Sequence, residues 1–285
     1  MKLLRPAFFQ FDPFPAPCIS TFPGSFSPAW QPRAMPIHRF YIPPSEWNPD
    51  HLALDEAESH HCVDVLRLRQ GDRVVAFNGT GMEVTAEISL LSKREVGLRP
   101  LLTHTSPRPA AAITLAQAIP KGKNMDLVIQ KAVELGAAEI VPLVSERTVV
   151  RLDAAEAADK QEKWQRIAIE ACKQCGQNHL PAVRRPVSLD RFFSGSPVQD
   201  LLLIAAIEPG ARRLKEVLAE WSTLHPGKDR PSSVLILIGP EGDFTPSEVG
   251  TAKSRGCLPL SLGPIILRTE TAAIYTLSTL AHELF

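Results

Sequence analysis

Two glycine–proline stretches carry the residue types best suited to hold a small ligand. Gly239-Pro240-Glu241-Gly242-Asp243-Phe244 follows the apolar run Val234-Leu-Ile-Leu-Ile238, and Gly263-Pro264 follows Leu258-Pro-Leu-Ser-Leu262. Glycine permits close backbone approach and proline fixes a bend, so both turns can offer N–H and C=O groups to a ligand edge. In an open α/β sheet the crevice beyond the carboxyl ends of the strands is the usual ligand site, and two such loops on neighbouring parallel strands predict a pocket there. The second loop runs through Ile265-Ile-Leu-Arg268 to Thr269, expected to cap the last helix.

Other chemical residue types read more plainly. Cys172-Lys-Gln-Cys175 with His179 has the look of a metal or redox pair, but no second cysteine pair exists to complete a tetrahedral site. The same spacing continues the apolar face of Trp164, Ile167, Ala168 and Ala171, so packing is the preferred reading and no metal is expected. His60-His61 sits most simply at a helix start. Asn78-Gly-Thr-Gly81 precedes a strand-like run, whereas a dinucleotide fingerprint needs a helix there. No GxxxxGK[ST] phosphate loop occurs. Lys121, Lys123, Arg147 and Arg151 fall at the ends of predicted elements, where they can meet phosphates or simply face water.

The elements around these residues divide the chain. Residues 37–105 give short strands at 38–42, 73–77, 82–88 and 95–98, with Asn78-Gly79 as a hairpin signal. One helical pattern, 58–69, has Cys62, Val65, Leu66 and Arg69 on a face. A small β-barrel with one helix fits. Ser106-Pro-Arg-Pro109 reads as a linker. Beyond it, strands at 113–119, 139–143, 201–206 and 234–238 alternate with helices at 124–135, 155–175 and 211–221, which argues a mostly parallel α/β sheet. Thr245-Pro-Ser-Glu248 supplies a capping box with proline at the first helical position. The terminal helix shows one apolar face at Ile274, Leu277, Ala281 and Leu284.

Residues 1–34, rich in Pro, Phe and Ser, look unlike a domain. They leave three readings: a disordered tail, a targeting segment, or an upstream start before the real initiator at Met35, the last being preferred. The domain expectation is therefore 1–34 extension, 35–105 barrel and 110–285 α/β domain. With 31 basic and 31 acidic residues the formal charge is zero, so a nucleic-acid partner must be met by a local cationic patch. Five scattered cysteines favour a reducing compartment, the cytoplasm, and no run approaches a membrane span. A soluble protein is expected.

Leu237-Ile-Gly-Pro-Glu-Gly242 with Glu248, Ser261-Leu-Gly-Pro264 and Ile266-Leu-Arg-Thr-Glu-Thr-Ala272 together resemble the signature of the small-subunit (16S) ribosomal RNA uridine-N3 methyltransferases, members of the knotted SPOUT superfamily. The resemblance runs from Met35 to the C-terminus through His38-Arg-Phe, His61, Val65-Leu-Arg67, Ala118-Ile-Pro-Lys-Gly122, Lys131-Ala-Val-Glu-Leu-Gly136, Ser145-Glu-Arg147 and Cys175-Gly. Asp243 stands in place of a usual glycine, Ile265 in place of a common arginine, and Lys173 in place of an acidic residue.

The resemblance implies a PUA-like RNA-binding barrel followed by an α/β domain whose C-terminal segment forms a trefoil knot, a topology that patterning alone argues against. It implies S-adenosyl-L-methionine as cofactor, held by Ala205, Ile238, Gly239, Pro240, Glu241, Gly242, Leu262, Gly263, Ile266 and Leu267, with Leu262, Ile266 and Leu267 as an apolar floor and residues 205–208 closing one side. The methyl group goes to N3 of a uridine, so a proton must leave. Arg268 is the residue expected to place positive charge by the developing uracil anion, and Glu270 is the candidate general base. Arg39, Arg67, Arg69, Lys121, Lys123 and Arg147 are expected to meet the ribosomal RNA or 30S particle, Arg67 and Arg69 pointing to different sides of their helix. A homodimer through the terminal helix is implied too. The rival expectations are a ribose 2′-O-methyltransferase of the same superfamily and an RNA-binding or ribosome-assembly protein impaired in turnover.

Overall fold

The computed structural model describes residues 37–92, 94–150, 152–195 and 199–285; the 1–34 extension, Met35 and Arg151 lie outside the described residues. The first body is built from β1 (Arg39–Tyr41), β2 (Leu52–Leu54), α1 (Glu56–His60), β3 (Arg73–Phe77), β4 (Met82–Leu91) and β5 (Val96–Thr105), paired in the order β1-β3-β4-β5-β2. Alternation decides which side chains enter: Val74 and Ala76 of β3, Val84, Ala86 and Ile88 of β4, and Phe40, Leu52, Leu54 and Leu98 share one core. The β3–β4 turn is an Asx turn, in which the Asn78 carboxamide oxygen accepts from Thr80 N at 2.9 Å and Met82 N at 3.2 Å.

Two features of this body differ from the sequence expectation. β2, only three residues long, carries no pattern long enough to be legible. The helix expected over 58–69 begins at its Asp55 cap, widens into a π-helical turn over His61–Val65 and stops there. Arg67 has φ 55°, a left-handed conformation that no helix continues through. Arg67 and Arg69 are therefore loop residues, and the helical-face argument for them does not apply.

The second body alternates strand and helix: β6 (Ala112–Ala118), α2 (Asn124–Glu134), β7 (Glu139–Val144), α3 (Ala154–Cys175), β8 (Ala182–Val183), β9 (Val187–Ser188), α4 (Leu189–Gly195), β10 (Leu201–Ala205), α5 (Leu214–Leu224), β11 (Ser233–Ile238), α6 (Pro246–Ser254), β12 (Leu258–Leu260) and α7 (Thr269–Leu284). The sheet order is β12-β10-β11-β6-β7-β8, with β9 also on β7, and each of these pairings is parallel. Both faces are covered, which explains the unbroken apolar runs. Val234, Ile236 and Ile238 pack with α2, α3, α5 and α7, while Leu235 and Leu237 pack with α4 and α6.

Three further details change. The helix expected at 211–221 runs over Leu214–Leu224. The face that α7 buries is Ala273, Thr276, Leu277, Leu280 and Leu284, with Ile274 and Ala281 only half-buried. The two loop-bearing strands are not neighbours, because β10 lies between β11 and β12. The end of β10 therefore forms the bottom of the crevice, and residues 205–208 belong to it. Among the described residues no helix is long and apolar enough to cross a membrane.

The barrel meets the sheet body through its β3–β4 turn. Leu180 N donates to Gly79 O and Gly81 N to Asn178 O, both at 2.9 Å. A Cβ on Gly81 would stand 2.6 Å from the His179 ring, so this approach requires glycine. The His179 ring itself faces the Ser106 and Pro107 carbonyl oxygens at 3.1 Å.

Candidate active site

The two glycine–proline loops stand on either side of a cavity of about 480 Å³ at the carboxyl ends of β10, β11 and β12, a size usual for a small-molecule site. Ala205, Ile238, Gly239, Pro240, Glu241, Leu262, Gly263, Ile266 and Leu267 line it, together with Glu208, Ser261 and Arg268. Of the residues expected to hold a cofactor, only Gly242 is off the wall, where its carbonyl accepts from the Arg147 guanidinium. Leu262 and Leu267 pack on the core and can serve as floor. Ile266 cannot, since it is 80% exposed and stands at the mouth.

Local chemistry fixes each wall. Thr245 and Glu248 form the expected capping box, which starts α6 and ends the first loop. Glu248 is buried, and its other oxygen accepts from Glu146 N at 2.9 Å, so the 145–148 turn braces the loop from outside. Asp243 takes φ 61°, and its own carboxylate accepts from Phe244 N at 2.8 Å. Aspartate is one of the few non-glycine residues that adopt this conformation readily. The glycine-like turn is thus retained.

Thr269 is not a cap. It is the first residue of α7, and its hydroxyl donates to Gly239 O at 2.6 Å across the cavity base while accepting from Gln117 Nε2 at 2.9 Å. Gln117, fully buried at the end of β6, was missed by sequence reading; its one signal is an amide inside the apolar run Ala116-Gln117-Ala118. Arg268 is exposed at the cavity edge and Glu270 is half-buried one residue past Thr269, outside the lining. Glu208 accepts from Lys253 Nζ at 3.1 Å through one oxygen, while the other is shielded and has no protein partner.

The proposed cationic surface divides. Lys121, Lys123, Arg147, Arg67 and Arg69 are exposed. Arg39 is withdrawn from that set, because its side chain is only 7% exposed, pairs with Glu83 at 2.8 Å, donates to Asn178 Oδ1 at 2.6 Å and stacks over Phe77. A guanidinium so enclosed joins barrel to sheet body and has no face left for phosphate. Lys173 has a comparable place: it pairs with Glu58 of α1 and, at 2.8 Å, with Glu170. Cys172 lies in the core, where burial pushes its thiol up to about 12, far from the range of a reactive thiolate.

Residues 106–281 match the RNA methyltransferase domain family, and residues 54–101 match the RNA methyltransferase PUA domain family. The chain is 33% identical over 227 residues to the ribosomal RNA small subunit methyltransferase E of Bacillus subtilis, covering 79% of this chain and 88% of that one. Among solved structures, a methyltransferase of Legionella pneumophila in complex with S-adenosylmethionine superposes with a TM-score of 0.76 at 39% identity, covering 86% of this chain and 97% of that one. The ribosomal RNA small subunit methyltransferase E of Neisseria gonorrhoeae, bound to the same compound, gives 0.74 at 31% identity with the same coverage. A parallel sheet with a crevice at its strand ends, preceded by a PUA-type barrel, thus defines an RNA methyltransferase. Within that class the chain belongs to the ribosomal RNA small subunit methyltransferase E family.

Proposed function

We propose that this chain transfers the methyl group of S-adenosyl-L-methionine to N3 of a uridine in small-subunit ribosomal RNA. The observation that carries the reading is the cavity between the two glycine–proline loops, in a chain whose Legionella and Neisseria relatives hold that compound. The residues present suit it. Ile238, Leu260, Leu262 and Leu267 offer an apolar surface to a purine, the backbone at 239–241 and 262–267 offers polar edges, and the unpartnered Glu208 oxygen suits a hydroxyl or cationic group. When bound, the cofactor supplies an electrophilic methyl group. Arg268, at the cavity edge, places positive charge where a uracil anion develops, and Glu270 is the candidate acceptor of the N3 proton.

The same reading divides the chain into a barrel over 35–105 and a catalytic domain over 110–285. It places a trefoil knot where the segment after β12 returns past β10 to bring Thr269 beside Gly239. Lys121, Lys123, Arg147, Arg67 and Arg69 hold the RNA backbone of the 30S particle in the cytoplasm. A homodimer is supported by Ile265, Ile266 and Tyr275, which are large and exposed beside the cavity and α7. The buried face of α7, by contrast, is spent on the chain's own core.

A second reading, retained RNA binding with weak turnover, is favoured by one observation: Ile265 is 75% exposed at the mouth and supplies no cation where an arginine is common. Mass spectrometry of nucleosides from small-subunit RNA treated with protein and labelled cofactor separates the possibilities. N3-methyluridine is the expected product, a ribose-methylated nucleoside refutes the reaction proposed, and no label supports the second reading.

A further inference from the structure

The two walls of the cavity belong to loops separated by a strand. Residues 239–243 leave β11, and residues 261–268 leave β12, with β10 between them. Among the described residues no backbone hydrogen bond joins one loop to the other. What does join them is a chain of side chains. Gln117 Nε2 donates to Thr269 Oγ1 at 2.9 Å and to Ala118 O at 2.8 Å, and the Thr269 hydroxyl in turn donates a hydrogen bond to Gly239 O at 2.6 Å. Gln117 is in register with Ile238, the residue before Gly239, so the chain starts from the rigid centre of the sheet. Gln117 is fully buried and Thr269 is 4% exposed.

We propose that Gln117 and Thr269 are positioning residues that set the spacing of the two cofactor loops before any ligand arrives, and that they aim Arg268 through its neighbour Thr269. The proposal rests on the function assigned above. Donor counting gives it direction. A threonine hydroxyl has one proton and can accept as well as donate, so it can link Gln117 to Gly239 only if its partner at residue 117 donates. An amide does so; an ionised carboxylate would compete with Gly239 O for the same proton. Residue 239 has no room for a side chain, since a Cβ there would stand 3.0 Å from Asp243 Oδ1 and 3.2 Å from Phe244 N. Arg147 on Gly242 O and Lys121 N on Glu241 hold the outer part of the first loop, and the Thr269 hydroxyl on Gly239 O is the contact that sets its spacing from the second. A preformed cavity spares the ligand the cost of ordering both walls.

The test uses the full chain with Thr269→Val, Thr269→Ser and Gln117→Glu. Two readouts are taken: calorimetric titration with S-adenosylmethionine, and backbone hydrogen exchange of residues 239–243 and 263–269 without ligand. Thr269→Val and Gln117→Glu are expected to raise Kd at least about tenfold, the scale of one lost hydrogen bond to a buried group. They are also expected to speed exchange in both loops while the barrel amides stay unchanged. Thr269→Ser, which keeps the hydroxyl, rescues both. Should Thr269→Val fail to fold, Gln117→Met keeps the volume, removes the donor and carries the same expectations. Unaltered exchange in residues 239–243 overturns the proposal whatever the titration shows. So does a wild-type Kd accompanied by nothing but a lowered melting point. Wild-type protein that binds no S-adenosylmethionine refutes the assigned function instead, and the exchange arm still decides the tie.

Discussion

Removal of Lys173 is the perturbation for which the structure gives the clearest magnitude. Its ammonium contacts Glu58 of α1, and the two side chains are 9% and 12% exposed, so the pair is buried where the barrel meets α3. Coulomb attraction at such contact is on the order of 4 kcal/mol with an effective dielectric near 20. Desolvation costs several kcal/mol per ion, so the pair roughly breaks even against apolar groups. Losing one member is different, because the other charge stays buried. The second Glu58 oxygen already lacks a partner, and burial, only partly offset by Lys173, raises its carboxyl above the usual range. Lys173→Ala should therefore cost about 3 kcal/mol, a fall in Tm of about 6–12 °C for a chain of this size. Lys173→Met with Glu58→Met should recover most of it. A carboxyl with a raised folded pKa contributes stability below its unfolded value that is lost as pH rises. The Lys173→Ala deficit should hence be largest at neutral pH and shrink as pH falls toward the ordinary glutamate value of 4.5. Urea unfolding of wild type, Lys173→Ala and the double methionine variant, repeated at two pH values, is the assay. A single-variant loss under about 1 kcal/mol, the range of exposed pairs, refutes the reasoning.

Arg268→Ala should lower methyl transfer by a factor of about 100 or more, the scale for one electrostatic contact to a developing anion, while cofactor Kd changes far less; wild-type turnover would remove Arg268 from the reaction. Ile265→Arg adds a cation at the mouth and should steepen the salt dependence of RNA binding by about one; an unchanged slope means that this loop faces away from the RNA. Asp200 accepts from Ser232 Oγ at 2.6 Å and from Ser232 N at 2.8 Å, contacts that hold its carboxyl below the ordinary aspartate value of 3.8. Its contribution is present above that value and lost as pH falls through the lowered one, so the melting-point gap between Asp200→Asn and wild type should close only in strong acid. Gly136 has φ 79°, and a Cβ there would stand 2.6 Å from the Phe285 ring, so Gly136→Ala should cost about 1–2 kcal/mol in urea unfolding; a loss under half of that would show that the C-terminus yields.

What was legible in the sequence is what neighbours in the chain decide. The capping box at Thr245 and Glu248, the helix over Asn124–Glu134 ended at Gly136, and the buried strand before Gly239 all follow from contacts a few residues apart. The crevice followed from them through a rule about strand ends. The errors share a different origin. Arg39 reads as a free cation because its partner Asn178 lies 139 residues away. Thr269 reads as a helix cap because its position is right for one, yet its hydroxyl is taken by partners 30 and 152 residues distant. The order β12-β10-β11 was equally hidden, since spacing along the chain does not say which strand intervenes. Long-range pairing of polar groups leaves no periodicity, and so no pattern to read.

The three departures from the family pattern show why a substitution must be judged by its surroundings. Asp243 replaces a glycine at a left-handed position, a change that costs most residues on the order of 1–2 kcal/mol. Here its carboxylate caps Phe244 N, and the turn survives. Lys173 reverses a charge on α3, and Glu58 from the barrel answers it. Both changes are absorbed because a complementary group lies within contact distance. Ile265 has no such answer. It is three-quarters exposed at the mouth of the cavity and substitutes a hydrocarbon for a charge. An exposed residue leaves folding almost untouched, so its effect must fall on whatever approaches the mouth. Ile265, rather than the change inside the glycine–proline loop, is therefore the departure to test by RNA binding, as the Ile265→Arg variant does.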